Sequence, residues 1–280
     1  MLVERLLGQI VDLSRYKLFV SGFTLVFLMI GMTIFAPWIS PYHPVRYEGG
    51  GRLEPPSVKH FFGTDQLGRD VLSRIIHGGQ VPIIVAVASA FFALSSGMTI
   101  GLISGYQGGW LDRFLSLLMD SVYSFPSLIL AIVMIAVLGP SIFNMVLAVG
   151  VVYIPRYFRV VRSQVTQLKS KEYVEAAHSL GFSDLRILFK HIAPNTINSV
   201  MAILSFNIAD GILTESGLSY LGYGLPPPAP DWGFDIQNGQ QFMLSGHWWL
   251  ITFAGLMIIL LALGFAMLGE GLSDKLNPKR

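Results

Sequence analysis

The chain has 280 residues, of which 52% are hydrophobic and 13% charged, and its mean hydropathy is +0.58. Soluble domains carry about 25% charged residues, so this composition excludes an ordinary water-bathed domain and assigns much of the surface to lipid. A net charge of +2 without a basic, aromatic-studded stripe excludes nucleic acid as partner, and zero cysteines exclude disulfides, thiolate metal ligands and a cysteine nucleophile.

Residues 1–17 mix Glu4, Arg5, Asp12, Arg15 and Lys17 with Leu and Val, which suits a cytosolic, amphipathic start lying on the inner membrane surface. Crossing a hydrocarbon layer of roughly 30 Å takes about 20 helical residues. Six segments approach or exceed that length: Leu18–Ile39, Val81–Ser104, Phe114–Leu138, Ile142–Val161, Ile192–Leu213 and Trp248–Leu268. No small-residue cleavage site follows the first, so it reads as a retained span. Three of the six contain no charged residue, which a soluble helix with a solvent-facing stripe could not sustain.

The expected fold is therefore all-α and integral to the membrane, with one N-terminal helix (18–39) and a five-helix core (81–269). An extracytoplasmic segment covers 40–80, a basic loop about 162–194, and a cytosolic tail 270–280. Translocated loops avoid Lys and Arg. With the N-terminus inside, fourteen fall on the inner side and five on the outer, so both termini are expected in the cytosol. Pro155 is expected to end or kink the fourth span near the inner face, leaving Arg156, Arg159 and Arg162 to snorkel toward phosphates.

Enzyme chemistry finds no foothold. The chain has no Gly-x-x-x-x-Gly-Lys-Ser/Thr phosphate loop, no Gly-x-Ser-x-Gly elbow and no His-Glu-x-x-His pair. No cofactor or metal site is expected in it. The basic loop has a different character. Residues Glu172–Leu180 are good helix formers, and Gly181 suits a C-terminal turn with positive φ. Ser183 can cap a second helix over about Asp184–His191 that stops before Pro194. That makes a helix-turn-helix knob on which Ala176 and Ala177 let another backbone approach and Glu175 offers a charge. It is either a docking element or an interfacial elbow without a partner.

At these residues the sequence resembles the membrane permeases of ATP-binding-cassette importers, whose cytosolic signature places Glu-Ala-Ala, Gly and Pro as Glu175, Ala176, Ala177, Gly181 and Pro194 stand here. His191 and Ala193 depart from the usual Ile and Leu. The resemblance implies a type I permease core whose coupling helix inserts into a groove of a separate ATPase. The implied partners are two ATPase subunits that bind ATP and Mg, a second permease, an extracytoplasmic substrate-binding protein and the bilayer. Gly63-Thr64-Asp65 with Gly68-Arg69-Asp70, Leu218-Ser219-Tyr220-Leu221-Gly222 and Asp231-Trp232-Gly233 are similar to the second permease of the dipeptide, oligopeptide and nickel group, over roughly Ala36 to Pro278. The resemblance implies di- or oligopeptides as cargo. Nickel, a metal chelate or an oligosaccharide remain open, as does an ATPase-independent channel or receptor scaffold.

Thr64, Asp65, Arg69, Asp70 and Trp232 are the candidates for an outer cap or gate, with Thr64 or Asp65 capping a helix into the second span. Asp120 and Asp210 sit inside apolar runs with Glu215 nearby, and each unpaired charge there costs on the order of 2.5–3.5 kcal/mol. They either line a translocation pathway or bond to Ser121, Ser124, Asn207 or Thr214 in helix packing. Pro126 and Gly211 are candidate flex points.

Overall fold

A computed structural model of the protein describes residues 2–47 and 50–276. Among these residues the chain is helical, with one isolated bridge between Thr64 and Asp70. Helix α1 (Leu2–Ile34) is continuous, so the expected surface segment and the first span form one rod. The chain turns at Phe35 into α2 (Ala36–Ile39), with Pro37 in its first turn where no N–H is needed. Trp38 beside it is exposed, as suits an aromatic at the membrane rim.

After an irregular outer segment, α3 (Val71–Gly78) leads into α4 (Gln80–Gln107). Helices α5 (Gly109–Tyr123) and α6 (Ser127–Leu138) meet at 90°, so the segment expected as the third span is sharply bent rather than one straight helix. Pro126 has no N–H to continue α5, and it pushes Phe125 out of helical geometry. Ser141 starts α7 (Ile142–Lys169) by accepting a hydrogen bond from Asn144 N. Contrary to expectation α7 does not stop at Pro155: that proline is buried among neighbouring helices, and packed neighbours and local adjustment of the helix let a proline stand inside a membrane helix.

Helices α8 (Glu172–Ser179) and α9 (Asp184–Ile187) follow, then a π-helical turn (Leu188–Ile192) that runs directly into α10 (Ala193–Tyr220). The second helix of the knob thus does not stop before Pro194. The proline falls in the first turn of α10, where its lost N–H costs nothing. Helix α11 (Trp232–Gln240) and a short 3₁₀ turn precede α12 (Trp249–Leu276); the last four residues of the expected tail lie outside the described residues. Among the described residues four helical stretches are long and apolar enough to cross a membrane, and two bent pairs raise the number to six if each counts as one crossing.

Two cores hold the bundle. One joins α4, α6, α7, the knob and α10; the other joins α1, α3, α4, α10, α11 and α12. The seam between α4 and α7 is close because Gly97, Gly101 and Gly105 recur every fourth residue. A Cβ at these positions would lie 2.7, 2.9 and 2.8 Å from the carbonyl oxygens of Ile154, Phe158 and Arg162. Small residues at this spacing let backbones touch where lipid offers no hydrophobic drive for association. Gly211, expected as a flex point, instead lies against Ala86 of α4, 3.2 Å from where its Cβ would stand.

Candidate functional site

The knob is built from local rules. Helix α8 ends in a Schellman turn: Phe182 N donates to Ala177 O (3.2 Å) and Gly181 N to His178 O (2.9 Å), with Gly181 at φ +78°. No atom crowds Gly181, so glycine is needed there for its backbone angle alone. Val174 and Ala177 point into the bundle core, whereas Glu175 and Ala176 face outward. Ala177 is thus not part of an open surface. Ser183 stands at the N-cap of α9 without a side-chain bond, and Asp184 instead accepts from Tyr106 Oη at 2.7 Å. Lys169 Nζ donates to Tyr106 O at 2.5 Å. The knob is thereby tied to the ends of α4 and α7. Leu180, Leu185 and Phe189 remain exposed around it.

Helix α7 carries three arginines one turn apart, and each meets an aspartate of another helix. Arg156 pairs with Asp210 of α10 (2.5 Å), Arg159 with Asp120 of α5 (2.7 Å) and Arg162 with Asp112 of α5 (2.5 Å). Asp120 and Asp210 do not bond the serines and threonine expected of them. Ser121 and Ser124 donate to carbonyls of their own segment, and Thr214 bonds Tyr153. Asn207 joins differently, accepting from Arg156 at 3.1 Å. The arginines are therefore fixed to aspartates rather than free to snorkel.

The outer segment is an ordered cap. Asp70, not Thr64 or Asp65, caps α3: its Oδ2 accepts from Ser73 N (2.8 Å) and Ser73 Oγ (2.6 Å) while Oδ1 meets His60 Nδ1 at 2.9 Å. Thr64 Oγ1 donates to Gly51 O at 2.6 Å, and Asp65 holds Arg69 at 2.6 Å. Arg74 spans the two outer segments through Asp235 (2.5 Å) and Pro44 O (3.2 Å). Trp232 is fully buried and donates its indole N–H to Ile75 O at 2.9 Å. Thr64, Asp65, Arg69, Asp70 and Trp232 are all buried, brought together as a scaffold at one end of the bundle. Glu215 is buried too, apart from the arginine row: Ser219 Oγ lies 3.0 Å from both Glu215 Oε1 and Asp231 Oδ2. A hydroxyl donates one proton, so the second contact requires a proton on one of the carboxyls.

Residues 97–280 match the model of the binding-protein-dependent transport system inner membrane component, and residues 10–56 that of the N-terminal TM domain of oligopeptide transport permease C. The chain belongs to the family of binding-protein-dependent transport permeases. It is 38% identical over 268 residues, 96% of its length and 88% of the relative's, to the dipeptide transport system permease protein DppC of Alkalihalophilus pseudofirmus. To the glutathione transport system permease protein GsiD of Pectobacterium atrosepticum it is 37% identical, covering 95% of this chain and 88% of that one. Among solved structures, an inward-facing MetNI methionine ABC transporter chain superimposes with a TM-score of 0.58 over 73% of this chain and 97% of its own, at 17% identity. That likeness establishes the type I fold. The protein is thus a multi-pass inner-membrane permease and a transport subunit rather than an enzyme.

Sequence reasoning missed the permease's arginine partners. Asp112 was not singled out, and Arg156, Arg159 and Arg162 were read as one interfacial face. The available signal was Arg156 and Arg159 at helical spacing in one apolar run set against Asp120 and Asp210 in others, with Arg162 and Asp112 just past the ends of those runs. An intramembrane charge needs an opposite one.

Burial pushes the Asp231 carboxyl above its ordinary 3.8, against the opposing bonds from Phe234 N and Ser219. A carboxyl whose folded pKa is raised contributes stability that is complete below the unfolded pKa and lost as pH rises through the folded one. The outer cap should therefore weaken as pH climbs above about 4. Thermal unfolding of the permease in detergent, followed by tryptophan fluorescence across this range, should show the decline. Asp231→Asn keeps a capping side chain and should lessen it, with the buried Asp235, likewise raised by desolvation, still contributing; an unaltered profile in that variant would remove Asp231 as a contributor.

Proposed function

We propose that the permease forms, with a second permease, the membrane pathway of an ATP-driven importer of di- and oligopeptides. The observation that carries the peptide reading is near-full-length similarity to permeases named for a dipeptide and for glutathione. An extracytoplasmic binding protein delivers cargo to the outer cap, and two ATP-binding-cassette ATPases, which bind the ATP and Mg, close beneath the knob. This chain binds no cofactor of its own. Both termini lie in the cytosol in this reading, which the Lys and Arg distribution supports.

In this reading Glu175 and Ala176 are the outward contacts with an ATPase groove, rimmed by exposed Leu180 and Leu185. Ala177, Gly181 and Pro194 shape the knob from within. Movement of the knob passes to α4 and α7 through Tyr106, Asp184 and Lys169. Because α7 holds α5 and α10 by its arginines, displacing α7 moves the segments that carry Asp120 and Asp210, which line the pathway. Glu215 belongs with the cap rather than with that pathway.

The test uses the absence of cysteine in the chain. A single Ala176→Cys variant should react with a membrane-impermeant maleimide only from the cytosolic side. Glu175→Arg and Ala176→Trp should insert normally yet fail to bring down an ATPase in mild detergent, and both should abolish dipeptide uptake. Full uptake in both variants would exclude docking at this knob and favour an ATPase-independent channel.

A further inference from the structure

Three charged pairs on one face of a spanning helix are more than packing requires. Arg156, Arg159 and Arg162 advance about 4.5 Å per step along α7, and their side chains stay 39%, 43% and 39% exposed in the single chain. Asp120 and Asp210 are likewise open. Half-open charges at this depth cannot face hydrocarbon. They face water or a second subunit.

The broken backbone beside Arg156 favours water. Arg156 forms part of the wall of two clefts. One, of about 360 Å³, follows the broken backbone from Tyr123 to Ser127. The other, of about 530 Å³, contains Asp210 and is otherwise apolar, with Phe206 and Ile259 in its wall. Interrupted backbone is tolerated at membrane depth only where it is covered by protein or lines an aqueous cavity. Arg156 borders both clefts and Asp210 the second, so the guanidinium is within reach of whatever enters either and the carboxylate of whatever enters the second.

We propose that the pairs Arg156–Asp210, Arg159–Asp120 and Arg162–Asp112 form a rail of exchangeable counter-charges for a zwitterionic cargo, its carboxylate taken by a guanidinium and its ammonium by the aspartate which that guanidinium releases. The proposal rests on the peptide-import reading and assigns the three arginines to cargo contact. Each pair is neutral, and a zwitterion inserted between its members leaves the site neutral throughout. No charge is then stranded at membrane depth at any step. The planar guanidinium offers the paired donors that a carboxylate accepts.

Aromatic faces hold the arginines while their aspartates are occupied. The Arg159 guanidinium lies 3.9 Å from the centre of the Tyr123 ring, and that of Arg156 lies 5.1 Å from Tyr153. A bare divalent cation would find each carboxylate already neutralised by a guanidinium that it cannot itself engage, and a neutral sugar would have no use for the charges. The row thus favours a peptide, whose two termini carry opposite charges, over nickel or an oligosaccharide.

The experiment uses the whole transporter in proteoliposomes with saturating binding protein and a labelled dipeptide. The variant Arg159→Gln with Asp120→Asn keeps volume and a hydrogen-bonded contact while removing both charges. Dipeptide uptake should fall about tenfold, as for the loss of a charge-assisted hydrogen bond. Complex assembly should stay at the wild-type level, and uptake of a dipeptide amide, which lacks the carboxylate that Arg159 takes, should not fall further in the variant than in the wild type; a merely structural pair would lower uptake of both cargoes alike. Unchanged uptake would overturn the rail. Should that variant fail to assemble, Arg159→Lys retains the charge without the planar fork and should lower uptake in the same direction; full uptake there overturns the rail equally. A wild-type transporter that takes up nickel but no dipeptide would instead overturn the peptide reading beneath it.

Discussion

Trp232→Ala should cost the permease about 3–5 kcal/mol of stability, the range for emptying a large aromatic site in a core. The side chain is fully buried, and three elements converge on it. Its ring lies against Gly78 and Gly79, where a Cβ would come within 2.8 and 2.7 Å of it, and Thr33 of α1 reaches the same spot. Its N–H satisfies Ile75 O near the end of α3. Removing it opens a void between α1, α3 and α11, and leaves a buried carbonyl without its side-chain donor. Trp232→Phe should be milder, since it refills most of the space and loses mainly one hydrogen bond of about 1 kcal/mol. Thermal unfolding in detergent should rank wild type above Trp232→Phe above Trp232→Ala. Limited proteolysis should cut residues 40–80 sooner in the alanine variant. Equal midpoints for all three chains would show that the cap does not hang on this indole.

The spans were legible because length and apolarity are local, and so was the first half of the knob, where helix formers run into a glycine. Its inner and outer faces were legible in principle as well: Val174 and Ala177 stand three residues apart and share one side of a helix. What sequence could not decide was which proline breaks a helix. Pro126 and Pro155 both sit inside apolar runs, yet the first ends α5 at an exposed lip while the second lies buried in a continuous α7. Local chemistry is the same at both; neighbouring helices settle the difference. Long-range pairing was equally hidden. Arg156 and Asp210 are 54 residues apart and Arg159 and Asp120 are 39 apart, and no periodicity joins them. The cap defeated local reading for a related reason. Asp70 rather than Thr64 or Asp65 caps α3 because the turn folds back, bridging Thr64 to Asp70 and presenting Asp70 to Ser73.

Gly101→Leu should disrupt the α4–α7 seam at or beyond the upper end of the roughly 1–3 kcal/mol typical of overpacking. Side chains can usually turn aside from an intruding group, but here the nearest atom is the Phe158 carbonyl oxygen, 2.9 Å from the would-be Cβ, with Arg162 N at 3.3 Å. Only a shift of α4 away from α7 makes room. That shift also disturbs Asp112, which accepts from Ser104 Oγ of α4 and pairs with Arg162 of α7 at 2.5 Å each, so uptake should fall with stability. The sign of a smaller change is the sharper test. In an open helix Gly→Ala stabilises by about 1 kcal/mol. Gly217→Ala should behave this way, since the nearest atom its Cβ would meet is the flexible Leu128 Cδ1 at 3.5 Å. Gly101→Ala should be destabilising despite the same gain in propensity, because its methyl carbon meets backbone. If both alanine variants raise the thermal midpoint alike, the two helix backbones are not in contact, and the glycines at 97, 101 and 105 do not set the distance between α4 and the helix that bears the arginines.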